Sequence, residues 1–281
     1  MIGRLIVAVC LVGLGSAFLF KLRREEKWDG LSVTFGANPF DSNVFASMPR
    51  SEADAKSQGW TKIADCDNNS KFRGIRYVKD NDYAVILLFD VKGYIAGIQC
   101  GVLKNATAGA YPPNKMRGLI FQDDGARYTV TAYFTDPATI CTTGRSHAEF
   151  RQDGTGTGLY IQNGSNPVTQ SVKIPATQSG VGNTAWTLGH CFPAMGVHYW
   201  YDVSTDMSCD DFQPVFLLYN EKQLTAFGWA LGTGQTSKRF EHPPHAVFSA
   251  FMNPVPKCLD NYAVLSTMHI YMTAHPTRDL C

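Results

Sequence analysis

The chain has 281 residues, of which 44% are apolar and 17% charged, so it can bury a substantial core and is too apolar to be disordered. A formal net charge of +1 gives no electrostatic reason to expect nucleic acid as a partner, and no nucleic-acid-binding module is recognisable. Phosphate-cradling loops and nucleophile elbows are excluded as well: Gly154–Gly158 and Gly232–Gly234 open no helix after a strand, and no Gly-x-Ser-x-Gly occurs.

Arg4 precedes an apolar run from Leu5 to Phe20, and Gly15-Ser16-Ala17 offers small residues for cleavage. Residues 1–17 therefore read as an export signal, since the run is shorter than the roughly 20 residues a bilayer span needs. Lys21, Arg23, Arg24 and Lys27 follow it and keep open a second reading, an uncleaved anchor over residues 5–20. Only in that case is a membrane a partner. Residues 18–59 form an N-terminal segment, ending in a short helix over Ser51 to Gln58 with Ser51 as N-cap and Gly59 as stop.

From residue 60 onward the chain resembles itself. Tyr83 to Ala96 aligns without a gap on Gln213 to Ala226, pairing Val85, Leu87, Leu88, Lys92 and Ala96 with Val215, Leu217, Leu218, Lys222 and Ala226. Each copy is an apolar run, a polar turn and a second apolar run, the composition of a β-hairpin. Gly74-Ile75-Arg76-Tyr77 parallels Gly196-Val197-His198-Tyr199 upstream, and Pro112-Pro113 parallels Pro243-Pro244 downstream. Two diverged β-rich repeats follow, over residues 60–141 and 185–281. Tyr128 to Phe134 alternates as a half-buried strand closing the first, with Val264 to Met272 as its counterpart. Pro244 to Met252 has the pattern of a short helix. Residues 142–184, rich in Gly, Thr and Ser, read as a linker or an inserted hairpin. The expected fold is mainly β: the repeats packed as one sandwich or barrel-like body, with a few short helices.

Three glycosylation sequons, at Asn68, Asn105 and Asn163, lie in turn-like stretches behind the export signal and point to a secreted glycoprotein. Eight cysteines are present; Cys10 lies in the leader, and the other seven show no Cys-x-x-Cys spacing. In an oxidising compartment the repeat symmetry suggests Cys66 with Cys141 and Cys191 with Cys281, each closing one unit. Cys209 with Cys258 would be private to the second unit, leaving Cys100 free.

Six of the seven histidines fall in the second unit. On a strand over Val197 to Tyr201, His198 and Trp200 face one way while Tyr199 and Tyr201 face the other. His242 and His245 flank the rigid Pro243-Pro244 pair, and His269 sits on the closing strand. Neutral imidazoles with Glu241 or Asp202 nearby would suit zinc or copper, and the same rings would serve as acid and base near neutral pH. Tyr199, Trp200, Tyr219 and Trp229 are candidates for lining a small-ligand pocket, although packing between β faces is an equally physical use of them.

Met195-Gly196-Val197-His198-Tyr199, followed by Pro214 to Tyr219 and its hairpin partner, resembles a segment of exported bacterial proteins of unknown function that carry Met-Gly-x-His-Tyr and Pro-x-x-Leu-Leu-Tyr patterns. The resemblance spans about residues 195–229 and brings no activity with it. Three functions follow from the sequence as expectations: a secreted binder of a small ligand or metal, an extracellular enzyme using His198, and a structural protein joining an extracellular matrix component.

Overall fold

The computed structural model describes residues 27–104 and 111–281; the expected export signal or anchor, Cys10 and the Asn105 sequon lie outside the described residues. The chain enters through two short strands, β1 (Ser32–Val33) and β2 (Ala46–Ser47), and helix α1 (Glu52–Ser57). The Ser51 side chain accepts from the Asp54 N–H and so caps α1, as its position before an acidic turn suggests. The first unit then runs β3 (Trp60–Ala64), β4 (Ile75–Lys79), β5 (Asp82–Phe89), β6 (Ile95–Leu103), β7 (Gln122–Asp124) and β8 (Arg127–Tyr133). Helices α2 (Pro137–Ile140) and α3 (His147–Asp153) lead to β9 (Tyr160–Gln162) and β10 (Ser171–Lys173). After α4 (Gln178–Val181) come β11 (Trp186–Phe192), β12 (Gly196–Tyr201), β13 (Val215–Asn220), β14 (Gln223–Leu231) and β15 (Ser266–Tyr271).

These strands form two antiparallel sheets. One has the order β10-β9-β8-β6-β5-β4-β3, with β7 on β8; the other has the order β11-β12-β13-β14-β15-β1-β2. Leu87, Ile98 and Val130 of the first sheet and Leu217, Phe227 and Ile270 of the second belong to one buried core, where the Phe134 and Phe227 rings stand 6.2 Å apart. The body is a β-sandwich.

The duplication is written in the strand order and in the register. The meanders β3-β4-β5-β6-β8 and β11-β12-β13-β14-β15 correspond strand for strand. Arg76 faces Leu88 across β4 and β5 as His198 faces Leu218 across β12 and β13. Gly74 and Gly196, at equivalent places, have φ of +111° and +108°. A Cβ at Gly196 would meet the Tyr219 carbonyl at 2.9 Å, and one at Gly74 the Phe89 carbonyl at 3.3 Å, so the motif's glycine is set by backbone shape and close approach.

The gapless alignment slips by one residue after the hairpin turn. Phe89 pairs with Ile95 across five intervening residues, whereas Tyr219 pairs with Leu224 across a tight turn with Glu221 and Lys222 at positive φ. Gly97, and not Ala96, is therefore the counterpart of Ala226. The same register makes Gln99 the counterpart of Gly228, Thr131 of His269 and Tyr133 of Tyr271.

Two stretches carry structure that the sequence reading did not detail, one of them the inserted hairpin it offered as an alternative. The linker contains α3, capped by a Ser146–Glu149 capping box, and the hairpin β9–β10 that extends the first sheet past β8. The N-terminal segment is not peripheral: β1 pairs with β15, and so adds the start of the chain to the second unit's sheet.

Cys66–Cys141, Cys191–Cys281 and Cys209–Cys258 are disulfides, and Cys100 is a buried free thiol. Three such links belong to a chain that folds in an oxidising environment. The first two span 75 and 90 residues and stabilise by about 4 to 5 kcal/mol each on loop-entropy grounds. Among the described residues no helix is long and apolar enough to cross a membrane.

Candidate functional site

The second sheet's outer face carries a core of its own. Trp200, Phe216, Leu218 and Tyr271 project from the strands and are covered by Phe248, Phe251, Met252 and Leu259 from the excursion between β14 and β15. A break in the β11–β12 ladder lets the excursion dock. Register shifts between Leu188 and Cys191, and the Phe251 carbonyl accepts from both the His190 N–H (3.3 Å) and Trp200 Nε1 (3.0 Å).

Between sheet and excursion lies a cavity of about 350 Å³. Its walls are mainly aromatic, from Phe35, Phe192, Trp200, Phe216 and Phe251, with Met195 beside them. The exposed lining residues His242, Val247 and Ala250 mark its mouth. The polar side chains His198, Thr267, His269 and Glu241 complete the lining.

Gly228 makes the room for this arrangement. A Cβ there would lie 2.1 Å from Phe216 Cζ, so the ring occupies the space that a side chain at this register position would take. Phe216 thereby closes a triangle of rings with the two imidazoles, 5.8 Å from His198 and 5.0 Å from His269 by ring centroids, and the imidazoles meet edge to face at 6.2 Å.

His198 is 1% exposed, and its Nδ1 lies 3.1 Å from the His190 carbonyl within the β11 irregularity. A carbonyl only accepts, so Nδ1 carries the proton and Nε2 is the acceptor of the neutral ring. Burial, reinforced by neighbouring His269, pushes its pKa down to about 3 against the opposing pull of the His190 and Gly196 carbonyls. His198 is neutral throughout the physiological range.

Glu241 is held on every side. Its Oε1 accepts from the Phe35 N–H (2.5 Å) and the His269 N–H (3.4 Å), and its Oε2 from the Thr267 hydroxyl (2.9 Å). His269 Nδ1 lies 3.2 Å from Glu241 Oε1, yet without hydrogen-bond alignment, and both of its buried ring nitrogens lack a hydrogen-bond partner among the described residues. His269 itself is 5% exposed. A buried polar group left in that condition is costly and is normally served by a ligand or an ordered water.

The four predicted histidines separate. His198 and His269 meet edge to face, with Phe216 packed against both. His242 stands at the mouth with Nε2 bonded to the Gln235 carbonyl at 2.9 Å, and His245 turns away to Asp260 (3.4 Å), its ring against Phe248. Among the described residues no group of three or more His, Cys, Asp or Glu side chains is placed to hold a metal ion, so the expected zinc or copper ligand set does not assemble. Of the four aromatic pocket candidates, Trp200 lines the cavity. Tyr199, Tyr219 and Trp229 sit on alternate positions and pack into the core between the sheets. Phe35 escaped the sequence reading because it reaches the site only through the pairing of β1 with β15, and Glu241 was noticed only as a neighbour of His242.

The equivalent place in the first unit is filled. Arg76 Nε donates to Gln99 Oε1 (2.9 Å), Gln99 Nε2 to Thr131 Oγ1 (2.9 Å), and both Arg76 terminal nitrogens to Asp124 (3.1 and 2.5 Å). The polar side chains there satisfy one another, and the Arg76 guanidinium lies over the Phe72 ring. The second unit has an open, aromatic chamber at the same coordinates of the repeat. No protein-family model, curated protein or solved structure matches this chain.

Proposed function

We propose that this is a secreted, disulfide-bonded glycoprotein whose second unit binds a small, largely apolar molecule in the chamber between β12–β15 and the covering excursion. The observation that carries the reading is His269: a nearly buried imidazole whose ring nitrogens make no hydrogen bond among the described residues, in the wall of a mainly aromatic cavity. Pockets of this kind, apolar with a few convergent polar groups, are the usual form of a small-molecule site. The first unit, with its network closed, serves as scaffold. Export is supported by the three disulfides together with the sequence's signal-like start. Glycosylation is supported at Asn163, which is exposed in the connection between β9 and β10, and at Asn68, exposed in the loop between β3 and β4.

A neutral fluorescent probe, N-phenyl-1-naphthylamine, tests the site. One equivalent binds the wild-type protein, and Ala250→Trp, a substitution at the exposed mouth, weakens it at least tenfold without changing the unfolding midpoint. Equal binding by both proteins places the probe elsewhere and removes the reading.

A catalytic reading draws on one further observation: the Glu241 carboxylate lies 3.2 Å from His269 Nδ1, close enough to orient the imidazole for proton transfer at Nε2 once the two align. Incubating wild type and His269→Phe with a molecule extracted from the purified protein distinguishes the two. Recovery of the unchanged molecule from both supports binding alone.

A further inference from the structure

Resting on that chamber being a ligand site, the chemistry of its walls also narrows the occupant. We infer that the occupant is an uncharged, mostly apolar molecule bearing a hydroxyl group, an alcohol or phenol, which hydrogen-bonds His269.

Three features converge on this class. The walls are aromatic and aliphatic, and a body without charge is the one that gains from leaving water for them. Glu241 already receives two backbone N–H groups and the Thr267 hydroxyl, and it is the His269 ring, with Nδ1 beside Glu241 but unaligned, whose nitrogens make no hydrogen bond among the described residues. A second anion would enter a poorly screened space beside that carboxylate and meet repulsion. His198 offers no positive charge to offset it, being held neutral by burial.

A cation is disfavoured by its donor count. An ammonium brings three N–H groups into a chamber whose carboxylate has already taken three donors and where His198 offers a single acceptor, Nε2. A hydroxyl brings one donor and its own acceptor capacity. It therefore serves an imidazole nitrogen in either tautomer, protonated or bare, without importing charge. The position equivalent to His269 in the first unit is Thr131, whose hydroxyl accepts from Gln99 at 2.9 Å. In the first unit the side chain at this position is thus hydrogen-bonded within the protein, whereas in the second no described residue hydrogen-bonds the His269 ring.

Four probes sharing one ring system separate the outcomes: naphthalene, 2-naphthol, 2-naphthoate and 2-(aminomethyl)naphthalene, titrated by calorimetry into full-length wild-type protein and His269→Phe. The expected ranking in wild type places 2-naphthol about tenfold tighter than naphthalene, with the carboxylate and the amine weaker than the alcohol. In His269→Phe, naphthalene keeps its affinity and the advantage of 2-naphthol disappears. His269→Gln, which keeps a polar group at the same wall, retains part of that advantage and guards against a folding artefact in the phenylalanine variant. Equal affinities for naphthalene and 2-naphthol, or a tightest-binding carboxylate or amine, overturn the hydroxyl assignment while leaving the pocket in place. Binding by none of the four overturns the pocket itself.

Discussion

Glu241 Oε1 stands 3.2 Å from His269 Nδ1 while also receiving the backbone N–H groups of Phe35 and His269. A single carboxylate thus joins the N-terminal segment, the covering excursion and the closing strand. Removing the three hydrogen bonds it accepts at once, in Glu241→Ala, is expected to cost more than about 2 kcal/mol, because charge-assisted bonds in a shielded place are worth about 1.5 to 3 kcal/mol. Glu241→Gln keeps one carbonyl oxygen and loses roughly half as much. Urea unfolding of the two variants reads the difference directly.

His198 makes stability depend on pH in a stated direction. Its folded pKa, pushed down to about 3, lies below the unfolded value of about 6.5, so the unfolded chain binds the proton first as pH falls. The stabilisation is complete above pH 6.5 and is lost on going down towards pH 3, with a slope of up to about 1.4 kcal/mol per pH unit. His198→Gln removes this contribution. Unfolding free energies at pH 7, 6, 5 and 4 therefore fall less steeply in the variant; parallel curves would contradict the account.

Gly228→Ala tests the spacing between the imidazoles. The added methyl would meet Phe216 Cζ at 2.1 Å and the Met268 carbonyl at 2.6 Å, so either the ring or the ladder must move. Overpacking of this kind costs about 1 to 3 kcal/mol, and the displaced ring fills the chamber. Both a lower urea midpoint and loss of probe binding are expected.

The Cys100 thiol is fully buried, and burial raises its pKa far above the usual thiol range. Native protein should leave Cys100 unmodified by iodoacetamide over hours, whereas brief labelling in guanidinium alkylates it quantitatively. Peptide mapping identifies the site. Labelling at any of the six disulfide cysteines under the same non-reducing conditions would instead mean that the pairing is wrong.

Much of the scaffold was legible, for identifiable reasons. The Gly-x-x-Tyr strands, the hairpins and the pairing of Cys66 with Cys141 and Cys191 with Cys281 follow from comparing the chain with itself, which needs no knowledge of distant contacts. The alternation that put His198 and Trp200 on one face is likewise a local property of a strand. What was not legible depends on packing. Tyr199, Tyr219 and Trp229 have the composition of a pocket wall, and only the docking of one sheet on the other assigns them to the core. Phe35 meets Glu241 across 206 residues. The capping box of Ser146 and Glu149 is a local signal, but the Gly- and Thr-rich composition around it hides the helix that it starts.

The pairing of β1 with β15 sets an order of events. Ser32 lies opposite Tyr271, so β1 and its neighbour β2 cannot join the second sheet until nearly the whole chain has been made. The first sheet has all its strands by residue 173, while the second is joined to β1 and β2 only through β15. Contacts of such long separation form slowly and late. Phe35 and Glu241, one near each end of the chain, then come together in the final closure. The chamber is thus completed only when the strands at both ends of the described chain have met.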